Sequence, residues 1–121
     1  MMESVDLTIG RPISEAKADL FRALAHPARI RALEVLAEGE LSVGELQPLV
    51  GIESSYLSQQ LGILRRSGLV TARKDGSQVF YSVADPQLIE LLGAAKRVLI
   101  RSLSNTAGLL ANLRAELAEA E

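Results

Sequence analysis

The stretch SSYLSQQLGILRRSGL, residues 54–69, decides the fold, because its leucines and its polar residues segregate at helical spacing. Leu57, Leu61 and Leu64 follow the i, i+4, i+7 pattern of one buried helix face. The opposite face carries small or polar residues, namely Ser55, Gln59, Gly62 and Arg66. The stretch therefore predicts an amphipathic helix that keeps a polar side exposed.

A shorter helix is predicted directly before it, in ELSVGELQPLVG, residues 40–51. Ser42 and Glu45 have the spacing of a capping box, in which each side chain satisfies a free backbone N–H at the helix start. Gly51 is expected to end this helix. Two helices joined by the short GIE connection, the second with a polar outer face, form a helix-turn-helix arrangement.

A β-hairpin is predicted directly after these helices. Leu69 to Lys74 and Gln78 to Val83 are rich in β-branched and aromatic residues. Asp75-Gly76 lies between them and favours a tight turn, because this dipeptide tolerates positive φ. The hairpin would form a two-stranded ribbon beside the second helix of the pair.

Two more helices are predicted before this unit and a long one after it. His26-Pro27 separates the first two, because proline disfavours helix for the residue before it and suits the first turn of the next. We interpret His26 as a capping side chain rather than a ligand. Asp85-Pro86 opens the long helix, in which Asn105 to Gly108 mark a candidate kink or break. This order predicts a mostly α fold with a two-stranded β-wing, a winged helix-turn-helix.

Composition restricts the class of protein. The chain has 121 residues, 48% of them hydrophobic and 3% aromatic, which suits one domain of packed helices. It has no cysteine, so disulfides and thiolate metal sites are excluded. No segment approaches the roughly 20 apolar residues of a membrane span, and we expect a cytoplasmic protein. The sequence shows neither a nucleophile paired with a general base nor a phosphate-binding glycine loop. We therefore expect no enzyme.

Charge is unevenly distributed, although the formal net charge is only −2. Every charged residue from Glu34 to Glu53 is acidic, whereas Arg65, Arg66, Arg73 and Lys74 follow within a short span. We therefore expect a local basic patch, which would supply a polyanion with sequence-independent affinity that falls as salt rises. For any one of these four cations, ordinary solubilising charge is the alternative.

Three blocks of the chain resemble the ArsR/SmtB family of bacterial transcriptional repressors. They are LFRALAHPARIRALEVL, LSQQLGILRRSGLV and RKDGSQVFYSV, in the family's order, over about residues 15–100. The resemblance implies a homodimer whose first and last helices form the interface and whose fourth helix enters the DNA major groove. Two-fold symmetry then predicts an inverted-repeat operator with half-sites about one helical turn apart.

The resemblance also implies DNA-reading positions on the fourth helix. These are Ser54, Ser55, Tyr56, Ser58 and Gln59. Gln59 can bond adenine at N6 and N7, while the serines suit phosphates or base edges. Tyr56 would contact a thymine methyl or a phosphate, or else pack on the preceding helix. A solvated polar face is the alternative for the helix taken alone.

The implied wing runs from Arg73 to Tyr81 and completes the predicted DNA interface. The further residues assigned to it are Arg65, Arg66, Arg73, Lys74, Gln78 and Tyr81. Gln78 and Tyr81 would touch the DNA backbone or the minor groove, although Tyr81 is equally suited to packing on the ribbon. Arg66 continues the polar stripe of the helix, so it is the preferred helical cation.

The metal sites familiar in this family are not expected here. Ser42 and Gly44 occupy positions where many metal-sensing members have cysteines, and the only histidine of the chain is His26. A metal site needs three or four converging ligands. We therefore predict no metal and no cofactor. We leave open an organic or gaseous effector bound between subunits, or a protein effector.

Three segments follow from these assignments. They are a flexible N-terminal arm at residues 1–13, a winged helix-turn-helix domain for DNA binding and dimerisation at 14–104, and a C-terminal helical extension at 105–121. The long helix carries more leucine than one small domain can cover, so a partner helix is expected. The predicted dimer residues are Leu20, Phe21, Leu88, Leu91, Leu92, Ala95, Leu99 and Leu103.

A function of another class remains open at this point. The fold would also suit a protein-interaction module that uses its long helix to bind another protein. The acidic span from Glu34 to Glu53, beside the helix assigned to the groove, is the feature that supports this alternative. A stoichiometric protein partner without any binding to DNA would favour it.

Overall fold

A computed structural model describes residues 12–120 and contains, within them, five helices and one small antiparallel sheet. The elements are α1 (Ile13–Leu24), α2 (Pro27–Leu36), β1 (Leu41–Ser42), α3 (Val43–Val50), α4 (Ser54–Arg66), β2 (Val70–Asp75), β3 (Gln78–Val83) and α5 (Gln87–Ala120). Most of the expected N-terminal arm, residues 1–11, lies outside the described residues. The predicted helices and hairpin are confirmed in type and order.

Two predicted helix starts have the expected caps. The Nδ1 atom of His26 accepts a hydrogen bond of 3.2 Å from the backbone N–H of Ala28, so His26 caps α2 as predicted. At α3, Ser42 Oγ accepts from the N–H of Glu45 at 3.2 Å, and Glu45 Oε1 accepts from the N–H of Ser42 at 2.9 Å. Gly51 ends α3 with a φ of 81°, a left-handed conformation that favours glycine.

The core lies between α2, α3 and α4. Its largest fully buried side chains are Leu33, Leu46, Leu57, Leu61 and Leu64. Three of these five form the stripe that was predicted on α4, and burying a leucine side chain contributes about 1.5–3 kcal/mol. The same burial leaves the opposite face of α4 in solvent.

The sheet has one strand more than the sequence indicated. β2 and β3 form the predicted two-stranded wing, with Asp75 opposite Gln78 at its tip. β1 pairs with the other edge of β3, where Leu41 faces Tyr81 and Ser42 faces Phe80, so the strand order is β1-β3-β2. A strand of two residues is too short to show a period in sequence. It ties the start of α3 to the wing.

Helix α5 runs unbroken from Gln87 to Ala120, so it has no break at Asn105 to Gly108, one of the two interruptions that the sequence suggested. The hydroxyl of Thr106 donates to the carbonyl of Ser102 at 3.0 Å and so remains within the helix. The expected boundary between residues 104 and 105 falls inside this helix. Among the described residues, no helix combines the length and the apolar character needed to span a membrane.

Candidate nucleic-acid interface

The outer face of α4 is polar and exposed, as predicted. Ser54, Ser55, Ser58 and Gln59 are all exposed there, while Leu57 and its neighbours in the stripe are buried on the other side. Small hydroxyl and amide side chains can accept or donate hydrogen bonds without blocking the approach of another molecule. This face can therefore read the edges of bases in a major groove.

The first turn of α4 is capped by a carboxylate that the sequence reasoning did not identify. Glu53 Oε2 accepts from the N–H of Ser55 and Glu53 Oε1 from the N–H of Tyr56, both at 3.1 Å. These backbone hydrogen bonds hold the pKa of Glu53 below its ordinary range. Both N–H groups are thus already hydrogen-bonded. A phosphate is therefore not expected at the N-terminal end of α4.

Arg66 lies along the same outer face of α4. A Cβ atom placed on Gly62 would be 3.3 Å from Arg66 Nη1, so the glycine leaves room for the guanidinium to lie against the helix. Arg65 and Arg66 are both exposed in the last turn. Their positive charges also interact favourably with the negative, C-terminal end of the helix dipole.

Tyr56 contacts the cap of α2 rather than standing free. Its hydroxyl lies 2.7 Å from Nε2 of His26, and the two ring centroids are 5.9 Å apart with a tilt of 53°. The Tyr56 side chain is still 37% exposed. The sequence left open packing on the preceding helix or contact with DNA, and the contact that the structure shows is with the cap of α2.

A buried polar contact fixes the position of α4 from behind. Gln60 is only 5% exposed, and its Oε1 accepts a hydrogen bond of 2.7 Å from Arg29 Nε. Arg29 Nη1 also donates to the carbonyl of Ala23 at 3.2 Å, near the end of α1. The contact was missed because Gln60 sits within a polar run and its burial becomes visible only after the leucine stripe is oriented.

One of the wing cations predicted to contact DNA instead pairs with a carboxylate of the same chain. Arg73 donates to Glu40 through Nε at 3.1 Å and Nη2 at 2.8 Å, and its guanidinium lies 4.8 Å from the ring centroid of Phe80. This hydrogen bonding and the positive charge of Arg73 lower the pKa of Glu40. A fork-like pair of this kind fixes both side chains, so Arg73 is less suited to DNA than the sequence suggested.

The other wing residues fall into two groups. Lys74 and Gln78 are exposed close to the turn at Asp75-Gly76. Tyr81 is half-buried and packs against the hydrophobic core, which supports the alternative of packing on the ribbon. The wing tip therefore offers a cation and an amide, and the aromatic ring stays at its base.

Three of the five acidic residues in the span that suggested a protein-interaction module make contacts within the chain. Glu40 pairs with Arg73, Glu45 belongs to the cap of α3, and Glu53 caps α4. Their common role is to start helices and to hold the wing. Glu34 and Glu38, the other two acids of the span, are exposed.

The residues predicted for the dimer interface separate into core and surface. Leu88 and Leu92 are buried in the core of the chain itself, which corrects their assignment to a surface. Leu20 and Leu91 are half-buried against that core, and Ala95 is exposed. The large apolar residues left exposed are Phe21, Leu99 and Leu103, at 53%, 61% and 68%.

Helix α5 carries further exposed apolar side chains beyond residue 103. They are Leu109, Leu110, Leu113 and Leu117. Among the described residues, no group of three histidines, cysteines, aspartates or glutamates is placed to hold a metal ion. The site thus consists of the polar face of α4, the wing and the exposed apolar face of α5.

A helix-turn-helix whose second helix exposes a polar face and leads directly into a β-hairpin defines a winged helix-turn-helix protein. Residues 26–72 match the family model described as bacterial regulatory protein, arsR family. The chain is also 55% identical over 105 residues to Rv0081 of Mycobacterium tuberculosis, an uncharacterised HTH-type transcriptional regulator, covering 86% of this chain and 92% of that one. The protein belongs to the arsR family of transcriptional regulators and is not an enzyme.

Other relatives agree with this family. The biofilm growth-associated repressor of Xylella fastidiosa is 44% identical over 77 residues, which cover 64% of this chain and 68% of that protein. The crystal structure of M. tuberculosis Rv0081 matches with a TM-score of 0.71 over 81% of this chain and 99% of that one, at 55% identity.

A second solved structure bears on assembly. The homodimeric winged helix-turn-helix DNA-binding domain of Mb0332 from Mycobacterium bovis matches with a TM-score of 0.71 at 27% identity. The match covers 87% of this chain and 95% of that domain. The fold predicted from sequence is confirmed by these neighbours.

Proposed function

We propose that the protein is a repressor that binds an inverted-repeat promoter operator as a homodimer, with α4 in the major groove and the wing tip on the adjacent backbone. The observation that carries the proposal is the exposed face of Ser55, Ser58 and Gln59 on a helix whose other side is fixed in the core. A rigid helix with small polar side chains suits direct readout of base edges.

Exposed cations at the C-terminal end of α4 and on the wing support a polyanionic partner. Arg65 and Arg66 lie at the end of α4, and Lys74 lies on the wing. Such contacts to phosphates orient a protein on the duplex and contribute affinity without sequence information. We therefore assign sequence specificity to Gln59 and sequence-independent affinity to the three cations.

The pattern of α5 supports the homodimer. Leu99, Leu103, Leu110, Leu113 and Leu117 repeat with spacings of three, four and seven, which is the seam of a helix that packs against another helix. These side chains are exposed in the single chain. The homodimeric state of the Mb0332 domain supports a second copy as the occupant.

The experiment is binding of the full chain to DNA from upstream of its own gene, measured by fluorescence anisotropy across a salt series. A shuffled duplex of equal length is the control. We expect two chains per site, a preference for the upstream DNA, and an affinity that falls steeply with salt. Equal affinity for both duplexes at every salt concentration would contradict the proposal, and capture of a stoichiometric protein partner without any DNA shift would favour the interaction module instead.

A further inference from the structure

We propose that His26, which lies outside the helix-turn-helix, is a positioning residue that turns the hydroxyl of Tyr56 into a hydrogen-bond donor toward a DNA phosphate. The inference rests on the proposed DNA-binding function and adds to it a residue of α2's cap. It depends on two hydrogen bonds that meet at His26, one with Ala28 and one with Tyr56, and on the exposure of Tyr56 to solvent.

The proton of the imidazole can be placed from its two partners. Nδ1 of His26 accepts from the backbone N–H of Ala28 at 3.2 Å, so Nδ1 carries no proton. A neutral imidazole then holds its proton on Nε2. Because Nε2 lies 2.7 Å from the Tyr56 oxygen, Nε2–H donates and that oxygen accepts. The hydroxyl hydrogen of Tyr56 must therefore point away from His26.

An outward-pointing O–H matches a phosphate, which accepts hydrogen bonds and does not donate them. Tyr56 is 37% exposed in the first turn of α4, beside Ser55 of the DNA-facing side. Glu53 already occupies the N–H groups of Ser55 and Tyr56. Besides the serine hydroxyls, the donor that this turn offers is thus the phenol, and the phosphate is expected beside the ring rather than at the helix end, where the Glu53 carboxylate lies.

The placement of the proton can be tested without DNA. The chain has a single histidine, so its ring nitrogens are identified directly in a long-range proton–nitrogen NMR spectrum. At a pH where the ring is neutral, we expect the Nε2–H tautomer to predominate. A predominant Nδ1–H tautomer would contradict the proposal.

The phosphate contact is tested with Tyr56→Phe, which removes the hydroxyl and keeps the ring. We expect about a tenfold loss of operator affinity, because a hydrogen bond to a charged acceptor is lost. The salt slope should not change, since the phenol carries no charge. Operators that carry methylphosphonates at the same position in both half-sites, one position at a time, should reveal a single position per half-site at which Tyr56→Phe causes no further loss. A contact with a base edge, seen as a loss specific to one base pair, would overturn the assignment to phosphate.

The role of His26 is tested with His26→Asn. Asparagine is among the preferred N-cap residues, so α2 should keep its cap, while the shorter side chain loses the contact with Tyr56. We expect about a threefold loss of affinity in the wild-type background and no further loss in the Tyr56→Phe background. Equal losses in both backgrounds would indicate a merely structural role. The melting temperature of His26→Asn checks that the cap is retained.

The outcomes separate this inference from the proposed function. Preferential operator binding together with an unaffected Tyr56→Phe variant would overturn the inference alone. Equal binding of wild-type protein to operator and shuffled DNA would overturn the proposed operator function, yet the phosphate contact would still be measurable on either duplex. Absence of binding to any duplex would overturn both.

Discussion

At the scale of single residues, Gln59 and Lys74 illustrate two ways in which a side chain can contribute to DNA binding. Gln59 is an exposed amide on a helix fixed from behind by Leu57 and by the buried Gln60. Lys74 is an exposed charge on a hairpin. An amide can match one base, whereas an ammonium group attracts every phosphate. The two residues therefore support separate predictions.

Gln59→Ala should relax specificity. The loss of a two-point contact to a base costs about 1–3 kcal/mol of discrimination, and the affinity for shuffled DNA should change little. The measurement is the ratio of dissociation constants for operator and shuffled duplexes at fixed salt. An unchanged ratio would exclude Gln59 from base readout.

Lys74→Ala should weaken binding to all duplexes alike and reduce the salt slope by about two units, one for each subunit of the proposed dimer. Arg101→Ala is the matched control, because it removes the same charge from the exposed part of α5. Anisotropy titrations over a salt series give both quantities. Identical slopes for the two variants would show that Lys74 contributes only to net charge.

Glu53 gives a prediction about pH. Hydrogen bonds from the N–H groups of Ser55 and Tyr56 lower the pKa of Glu53 in the folded chain. A group with a depressed folded pKa stabilises the fold above its unfolded pKa of about 4.3, and this contribution is lost as pH falls through the lower folded value. The difference in unfolding midpoint between wild type and Glu53→Gln should therefore be present at pH 7 and shrink below about pH 4. A difference that does not vary with pH would contradict this cause.

At the scale of elements, the short strand β1 and the cap of α3 are one structure. Ser42 accepts from Glu45 at the start of α3, and it also lies opposite Phe80 in the sheet. Glu40, two residues earlier, holds Arg73 of β2. The helix-turn-helix and the wing are thus connected by residues 40–45, and their relative position does not depend on the core alone.

Ser42→Ala should destabilise the fold by about 0.5–2 kcal/mol, the usual cost of removing an N-cap side chain. Urea denaturation followed by circular dichroism measures this change. Ser67→Ala, at an exposed position after α4, is the control and should have a smaller effect. A loss equal to that of the control would show that the cap contributes little.

At the scale of the whole molecule, the proposed homodimer depends on the exposed face of α5. Leu103 is 68% exposed and lies on the leucine seam, whereas Ser104 lies beside it and off the seam. The exposed position of Leu103 means that the single chain can fold without it. Its side chain becomes important only when a second copy covers the helix.

Leu103→Glu should shift the protein from dimer to monomer, because it places a charge in an apolar seam, while leaving the helix content unchanged. Light scattering after size-exclusion chromatography measures the mass. Ser104→Glu adds the same charge outside the seam and should remain dimeric. If both variants keep the mass of the wild type, the seam is not the interface. Loss of the dimer should also reduce operator affinity, since two half-sites are no longer bound together.

Local sequence patterns determined most of the fold. The leucine spacing of residues 57–64, the Ser42 and Glu45 cap, the His26-Pro27 boundary and the Asp75-Gly76 turn each depend on neighbours within a few residues, so their outcome can be read from the chain. The polar side of α4 follows from the same spacing, because burying one face exposes the other.

Only the tertiary structure decided the contacts between distant residues. The pairing of Arg73 with Glu40, the contact of Tyr56 with His26 and the burial of Gln60 against Arg29 each join residues about 30 positions apart. The same holds for Leu88 and Leu92. They are buried in the core, although the sequence does not distinguish them from the exposed leucines of α5. No local period encodes such pairs, because they depend on how the helices and the wing pack together.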